Sequence, residues 1–152
     1  FVAITQLRPY MPHDLQGVEW IAVGSNTFNE AVPFYAHVNA TPAYLADTTG
    51  AVTTESFYWA NRMIAAMADA HYPACLAHVE RYQVALSTAG HAMLKRFDAQ
   101  YLAAPEKDAA AYLTACNQQM ADKARELTDD LLSKVLFSAS MEMKNGFARS
   151  DS

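Results

Sequence analysis

The chain has 152 residues, a mass of 16.7 kDa and a formal net charge of −5. It is 52% hydrophobic by residue type and 18% charged, which excludes disorder over most of the length, and no run approaches the roughly 18 apolar residues a membrane span needs. A pI of about 5.4 speaks against nucleic acid as the main partner, because phosphate binding needs clustered Lys and Arg.

The length suits one domain with a real core and is too short for two ordinary ones. Charge and texture change near residue 55. Before it, Arg8 is the sole basic side chain against Asp14, Glu19, Glu30, Asp47 and Glu55, and Val, Thr, Phe, Tyr, Gly and Pro dominate. After it, acids and bases nearly balance and Ala prevails. Strands followed by helices is the α+β order: a strand-rich 1–54, a helical 55–145 and a frayed tail at 146–152.

Phe1–Arg8 alternates, with Phe1, Ala3, Thr5 and Leu7 on one side as a largely apolar face, and Pro9 and Pro12 end the strand. Gly17–Val23 is a second strand, closed by Gly24-Ser25-Asn26. Val32–Val38 is a third, which Pro33 places at an edge or a strand start. Thr41–Thr53 reads as loop. Thr53 or Thr54 is expected to cap a helix with Glu55 in its first turn, carrying Phe57, Ala60/Asn61, Ile64, Met67/Ala68 and His71 on one face. Pro73 opens a second helix with Leu76, Val79, Tyr82, Leu86, Met93/Leu94, Phe97 and Tyr101 in line and a kink expected at Gly90. Pro105-Glu106-Lys107-Asp108 starts a third, with Pro105 in first position. Its line is Leu113, Cys116, Met120, Ala124, Leu127, Leu131 and Val135, and Asn145-Gly146 is its stop.

Four groups bear on chemistry. His71, Cys75 and His78 have a spacing that could gather three metal ligands, but Pro73 breaks the helix between them, and packed or surface histidines are the plainer reading. Cys75 and Cys116 sit on regular helix faces beside alanines, as structural thiols do, and two buried reduced cysteines suit a cytoplasmic protein. Phe57, Tyr58 and Trp59 point in different directions on one helix, so they cannot all enter one core. Arg8 ends a strand and, taken together with the turn Gly24-Ser25-Asn26, could hold a carboxylate in bidentate fashion; the plainer reading is an ion pair with Asp14 or Glu19. No glycine-rich phosphate loop and no exposed serine nucleophile elbow occurs.

One set of motifs is more specific. V-A-I-T-Q-L-R-P-Y-M-P (Val2–Pro12) is followed by G-V-E-W-I-A-V-G-S (Gly17–Ser25), V-P-F-Y-A (Val32–Ala36) and E-S-F-Y-W-A-N-R (Glu55–Arg62). This order resembles the C-terminal part of bacterial cysteine dipeptidases, N-terminal-nucleophile hydrolases related to secernins and penicillin V acylases. The resemblance covers roughly residues 1–100. It implies that the chain is part of an αββα sandwich. It also implies a mechanism in which an N-terminal cysteine, freed by processing and using its own α-amino group as base, attacks a dipeptide carbonyl, with no metal or other cofactor. The first residue here is Phe1. There is no initiator Met and no secretory signal, so the chain reads as a segment cut from a longer one, with the nucleophile upstream; neither Cys75 nor Cys116 matches its place. Arg8, Trp20 and Asn26 fall inside the resembling motifs, and Arg8 and Asn26 are the expected pocket residues.

The expectation is thus a C-terminal segment of a cytoplasmic dipeptidase, inactive alone, with a dipeptide substrate and the missing N-terminal part as partners. Bare sheet edges predict self-association. The alternative is a non-enzymatic interaction module that self-associates through sheet edges or helices.

Overall fold

The computed structural model describes residues 1–46 and 48–143. Three strands, β1 (Val2–Leu7), β2 (Gly17–Ala22) and β3 (Val32–Tyr35), form an antiparallel sheet in the order β1-β2-β3. Val2 pairs with Ala22 and Leu7 with Gly17, so Arg8 and the Gly24-Ser25-Asn26 turn lie at opposite ends of the β1–β2 hairpin. Four helices follow: a single turn α1 (Ala43–Ala46), then α2 (Phe57–Ala70), α3 (Tyr72–Ala103) and α4 (Ala109–Met141). The α+β order expected from the texture change is the one observed.

Local chemistry corrects several boundaries. β3 stops at Tyr35 rather than Val38 because the chain folds back, with the Val38 N–H donating to the Ala36 carbonyl at 3.1 Å. α2 starts at Phe57 after Ser56, not at a Thr53 or Thr54 cap. Thr53 Oγ1 instead accepts the Glu55 N–H in a tight turn ahead of the helix, and the Glu55 carboxylate pairs with Arg125 of α4 at 2.6 Å. α4 begins after Asp108, whose carboxylate accepts the Ala111 N–H at 3.0 Å, so Pro105 lies in the connection and not in the first turn. The expected loop 41–53 contains α1, which buries Tyr44 against Phe57 at 5.5 Å between ring centroids. Pro73 stands in the first turn of α3, and the chain breaks from α2 at His71. The Asn145-Gly146 stop and the tail 146–152 lie outside the described residues.

The helices bury the faces that their periodicity indicates. Ile64 and Ala68 of α2, Val79, Leu86 and Phe97 of α3, and Leu113, Met120, Leu131 and Val135 of α4 share one core with Val18, Val32 and Tyr35 of the sheet. Gly90 lies inside α3 at a close approach: a Cβ there would meet Pro33 Cδ at 2.8 Å. Asn117 of α4 closes the outer edge of β3 as a strand would. Its Nδ2 donates to the Tyr35 carbonyl at 2.9 Å and its Oδ1 accepts the Tyr35 N–H at 2.8 Å.

The sheet is covered unevenly. Trp20 stacks on His91 of α3 at 4.7 Å and donates to Gln6, which puts the Gln6 side of β1 toward the helices. The Ala3, Thr5 and Leu7 side of β1 is exposed, with Phe1 78% and Leu7 75% accessible. The apolar face seen in the alternation therefore lies open, and among the described residues no strand pairs with the outer edge of β1.

Candidate functional site

The two ends of the hairpin differ in chemistry. At the Arg8 end the residue is 4% exposed and its guanidinium makes four hydrogen bonds. Nη1 and Nη2 donate to the two carboxylate oxygens of Asp98 on α3, at 2.6 and 3.2 Å. Nε and Nη2 donate to the Leu15 carbonyl at 3.2 and 2.5 Å. The Tyr35 hydroxyl donates to the same Asp98 at 2.8 Å, and burial together with that carboxylate pushes the Tyr35 phenol well above its ordinary range. The carboxylate facing Arg8 is thus Asp98 rather than Asp14 or Glu19. Asp14 instead accepts the Tyr101 hydroxyl at 2.8 Å, and Glu19 accepts from Thr5.

At the other end a cleft of about 660 Å³ opens between the turn after β2 and one side of α2. Val23, Gly24, Ser25 and Phe28 line the sheet side; Tyr58, Arg62, Ala65, Ala66 and Asp69 line the helix side, with Phe1 at the rim. Spacings of four, three or four, and three put these helix residues on one stripe, beside the buried face of Phe57, Ile64 and Ala68. The turn is pressed close to α2: Gly24 has φ +83°, which favours glycine, and a Cβ on it would make a tight 3.3 Å contact with Asn61 Cβ. Asn29 fixes the following loop by donating to the Val23 carbonyl and accepting the Glu30 N–H, while Gln83 of α3 holds the Thr27 and Asn29 carbonyls at 3.1 and 3.0 Å.

Within the cleft Arg62 is exposed and has no carboxylate partner among the described residues. Its guanidinium lies 5.8 Å from the Tyr58 ring centroid, an arrangement that orients the planar fork without consuming its donors. Asp69 is likewise exposed and unpaired among the described residues. Asn61, behind Gly24, is 2% exposed; its Nδ2 donates to Phe57, and its Oδ1 has no partner among the described residues.

The expected candidates separate accordingly. Arg8 and Asn26 are at opposite ends of the hairpin and do not meet. Asn26 is exposed, next to Gly24 and Ser25 of the cleft. Phe57, Tyr58 and Trp59 do diverge: Phe57 enters the core, Tyr58 faces the cleft and Trp59 Nε1 donates to the Thr49 carbonyl at 2.7 Å. His71 pairs with Glu142 at 2.6 Å, and among the described residues no three of His, Cys, Asp and Glu gather as a metal site. Cys75 and Cys116 are free and buried, and burial raises both thiols above the ordinary value. Arg62 and Asp69 were missed as site residues, although a signal was present. Tyr58, Arg62 and Asp69 recur at helical spacing on the polar side of a helix whose apolar face is elsewhere, and Arg62 closes the motif E-S-F-Y-W-A-N-R.

Residues 1–85 match the model of peptidase family C69. The chain belongs to that family. Among curated relatives it is 39% identical to a dipeptidase of Bifidobacterium longum (strain NCC 2705), over 99% of this chain and 35% of that protein. It is 42% identical to a probable dipeptidase A of Streptococcus pyogenes serotype M18 (strain MGAS8232), over 98% and 31%. With dipeptidase A of Lactobacillus helveticus the identity is 29%, over 88% and 28%. The chain thus spans about a third of the length of the curated relatives it matches. The family model ends within α3, at residue 85, while the matches to the Bifidobacterium and Streptococcus proteins run through α3 and α4 as well as through the sheet. No helix among its described residues is long and apolar enough to cross a membrane.

Proposed function

We propose that this chain is the C-terminal portion of a cytoplasmic dipeptidase whose nucleophile is an N-terminal cysteine lying outside these residues. The observation that carries the reading is the similarity to dipeptidases across nearly the whole chain, at 39–42% identity. In this reading the cysteine sulfur attacks the peptide carbonyl carbon and its α-amino group takes up the thiol proton. The C–N bond then breaks, the departing amine receives the proton, and water hydrolyses the thioester. The segment's own share is structural and positional. Its helices cover one face of the sheet, while the open face and outer edge of β1, with Leu7 and Phe1 exposed, receive the rest of the polypeptide. Arg8 acts through Asp98 to fix the strand end, and Asn26 is exposed beside the cleft, next to Ser25. The two thiols present are buried with raised pKa, which suits packing rather than attack, so the segment alone is inactive.

The test is to purify the whole polypeptide that contains this segment and to offer it dipeptides before and after treatment with a thiol-alkylating reagent. Hydrolysis that alkylation abolishes is expected; absence of hydrolysis, or activity indifferent to alkylation, overturns the reading. The exposed β1 edge also favours a second reading, an interaction module that self-associates by strand pairing. Light scattering separates the two: self-association of the isolated segment that persists in the whole polypeptide through the same edge favours the module, and its disappearance there favours the dipeptidase.

A further inference from the structure

The cleft beside α2 carries opposite charges on one helix stripe, with Phe1, Phe28 and Tyr58 among its other lining residues. Arg62 and Asp69 are seven residues apart on one stripe, and the helix rises about 10.5 Å over that interval. Between them the floor is Ala65 and Ala66, so the side chains leave room. Neither charge has an ion-pair partner among the described residues. Two residues in extended form span roughly 7 Å, which lies within that rise. Arg62, held over the Tyr58 ring, presents a fork that suits a carboxylate. Asp69 offers acceptors to an ammonium group. Across the cleft, the Gly24-Ser25 turn is held close against α2 and narrows the opening.

We infer that this cleft reads both ends of a zwitterionic dipeptide, with the substrate carboxylate at Arg62 and the α-ammonium at Asp69. The inference rests on the dipeptidase reading and adds to it the residues that hold the two free termini. A blocked terminus would leave one cleft charge without its partner.

The test uses the whole polypeptide and three substrates of one sequence: the free dipeptide, its C-terminal amide and its N-acetyl form. The unchanged protein is expected to prefer the free dipeptide over the amide by about tenfold or more in kcat/KM, since a charge-assisted pair is lost with the amide. Arg62→Gln should bring that ratio toward one, mainly through KM, and Arg62→Lys should restore part of it. Asp69→Asn should collapse the preference over the N-acetyl form and leave the preference over the amide. Equal use of free and amidated dipeptide by the unchanged protein, or equal losses on both substrates in Arg62→Gln, overturns the inference. Should the protein hydrolyse none of the three, the dipeptidase reading falls first. Calorimetric binding of the free dipeptide then decides the cleft: binding that Arg62→Gln removes upholds it, and no binding overturns it. Both side chains are exposed, so unchanged circular dichroism of the variants separates these effects from misfolding.

Discussion

The β1–β2 hairpin is closed by a charge at one end and left open beside a charge at the other. Arg8 is buried and makes four hydrogen bonds to Asp98 and the Leu15 carbonyl. Arg62 lies exposed over Tyr58, with no acidic partner among the described residues. A guanidinium taken out of water persists only with a full set of acceptors, so the first arginine is committed to the fold. The second keeps its water, which a ligand carboxylate can replace. Its place at a strand end and inside the resembling motifs made Arg8 a site candidate; solvent access distinguishes the two arginines.

The closed end can be broken most severely from its acidic side. Asp98→Ala strands the buried Arg8 cation and the Tyr35 hydroxyl together, and urea unfolding should show a loss of about 3–5 kcal/mol. Asn117→Ala comes next. It leaves the Tyr35 N–H and carbonyl without their buried partners, with an expected loss of roughly 2–4 kcal/mol by the same measurement. Gly90→Ala pushes a methyl group against the Pro33 ring, which has little room to yield, for a loss of about 1–3 kcal/mol. A loss below 0.5 kcal/mol in any of the three would show that the contact is not what holds the sheet to α3 and α4.

The mildest test needs no substitution. Burial raises Tyr35, Tyr44 and Tyr82 above the ordinary tyrosine value near 10, and burial together with Cys116 pushes Tyr112 up to about 12. A phenol whose pKa is raised by folding ionises first in the unfolded chain. Its stabilisation is therefore complete below about pH 10 and declines as pH rises from there through the folded value. Tyrosinate absorbance near 295 nm should rise in two parts. The later part, from the buried Tyr35, Tyr44 and Tyr82, appears together with loss of the helical circular dichroism signal. A single smooth titration with the helix signal intact would contradict this.

Much of the fold could be read from the sequence. The apolar lines of α2, α3 and α4 are periodic over many turns, alternation ended by Pro9 and Pro12 marked β1, and the Gly24-Ser25-Asn26 turn marked the end of β2. The single turn of α1 escaped because four residues carry no period. Boundaries shifted where a side-chain cap prevailed over proline placement, as at Asp108. The hairpin face that alternation marked as apolar lies open, since alternation shows that two faces differ and not which one the helices cover. The site was less legible because its pairings are distant in sequence. Asp98 is 90 positions from Arg8, and Asn117 is 82 from Tyr35. No local pattern reports such partners. Arg62 and Asp69 were within reach of the helical spacing, but only the packing of Gly24 against Asn61 shows that their stripe faces a cleft.

The most direct measurement is the urea unfolding of Arg8→Met and Arg62→Gln side by side. If one arginine holds the fold and the other is available to a ligand, Arg8→Met loses about 3–5 kcal/mol while Arg62→Gln stays within about 0.5 kcal/mol of the unchanged chain. Equal losses, or the reverse order, would contradict the division between the two ends of the hairpin.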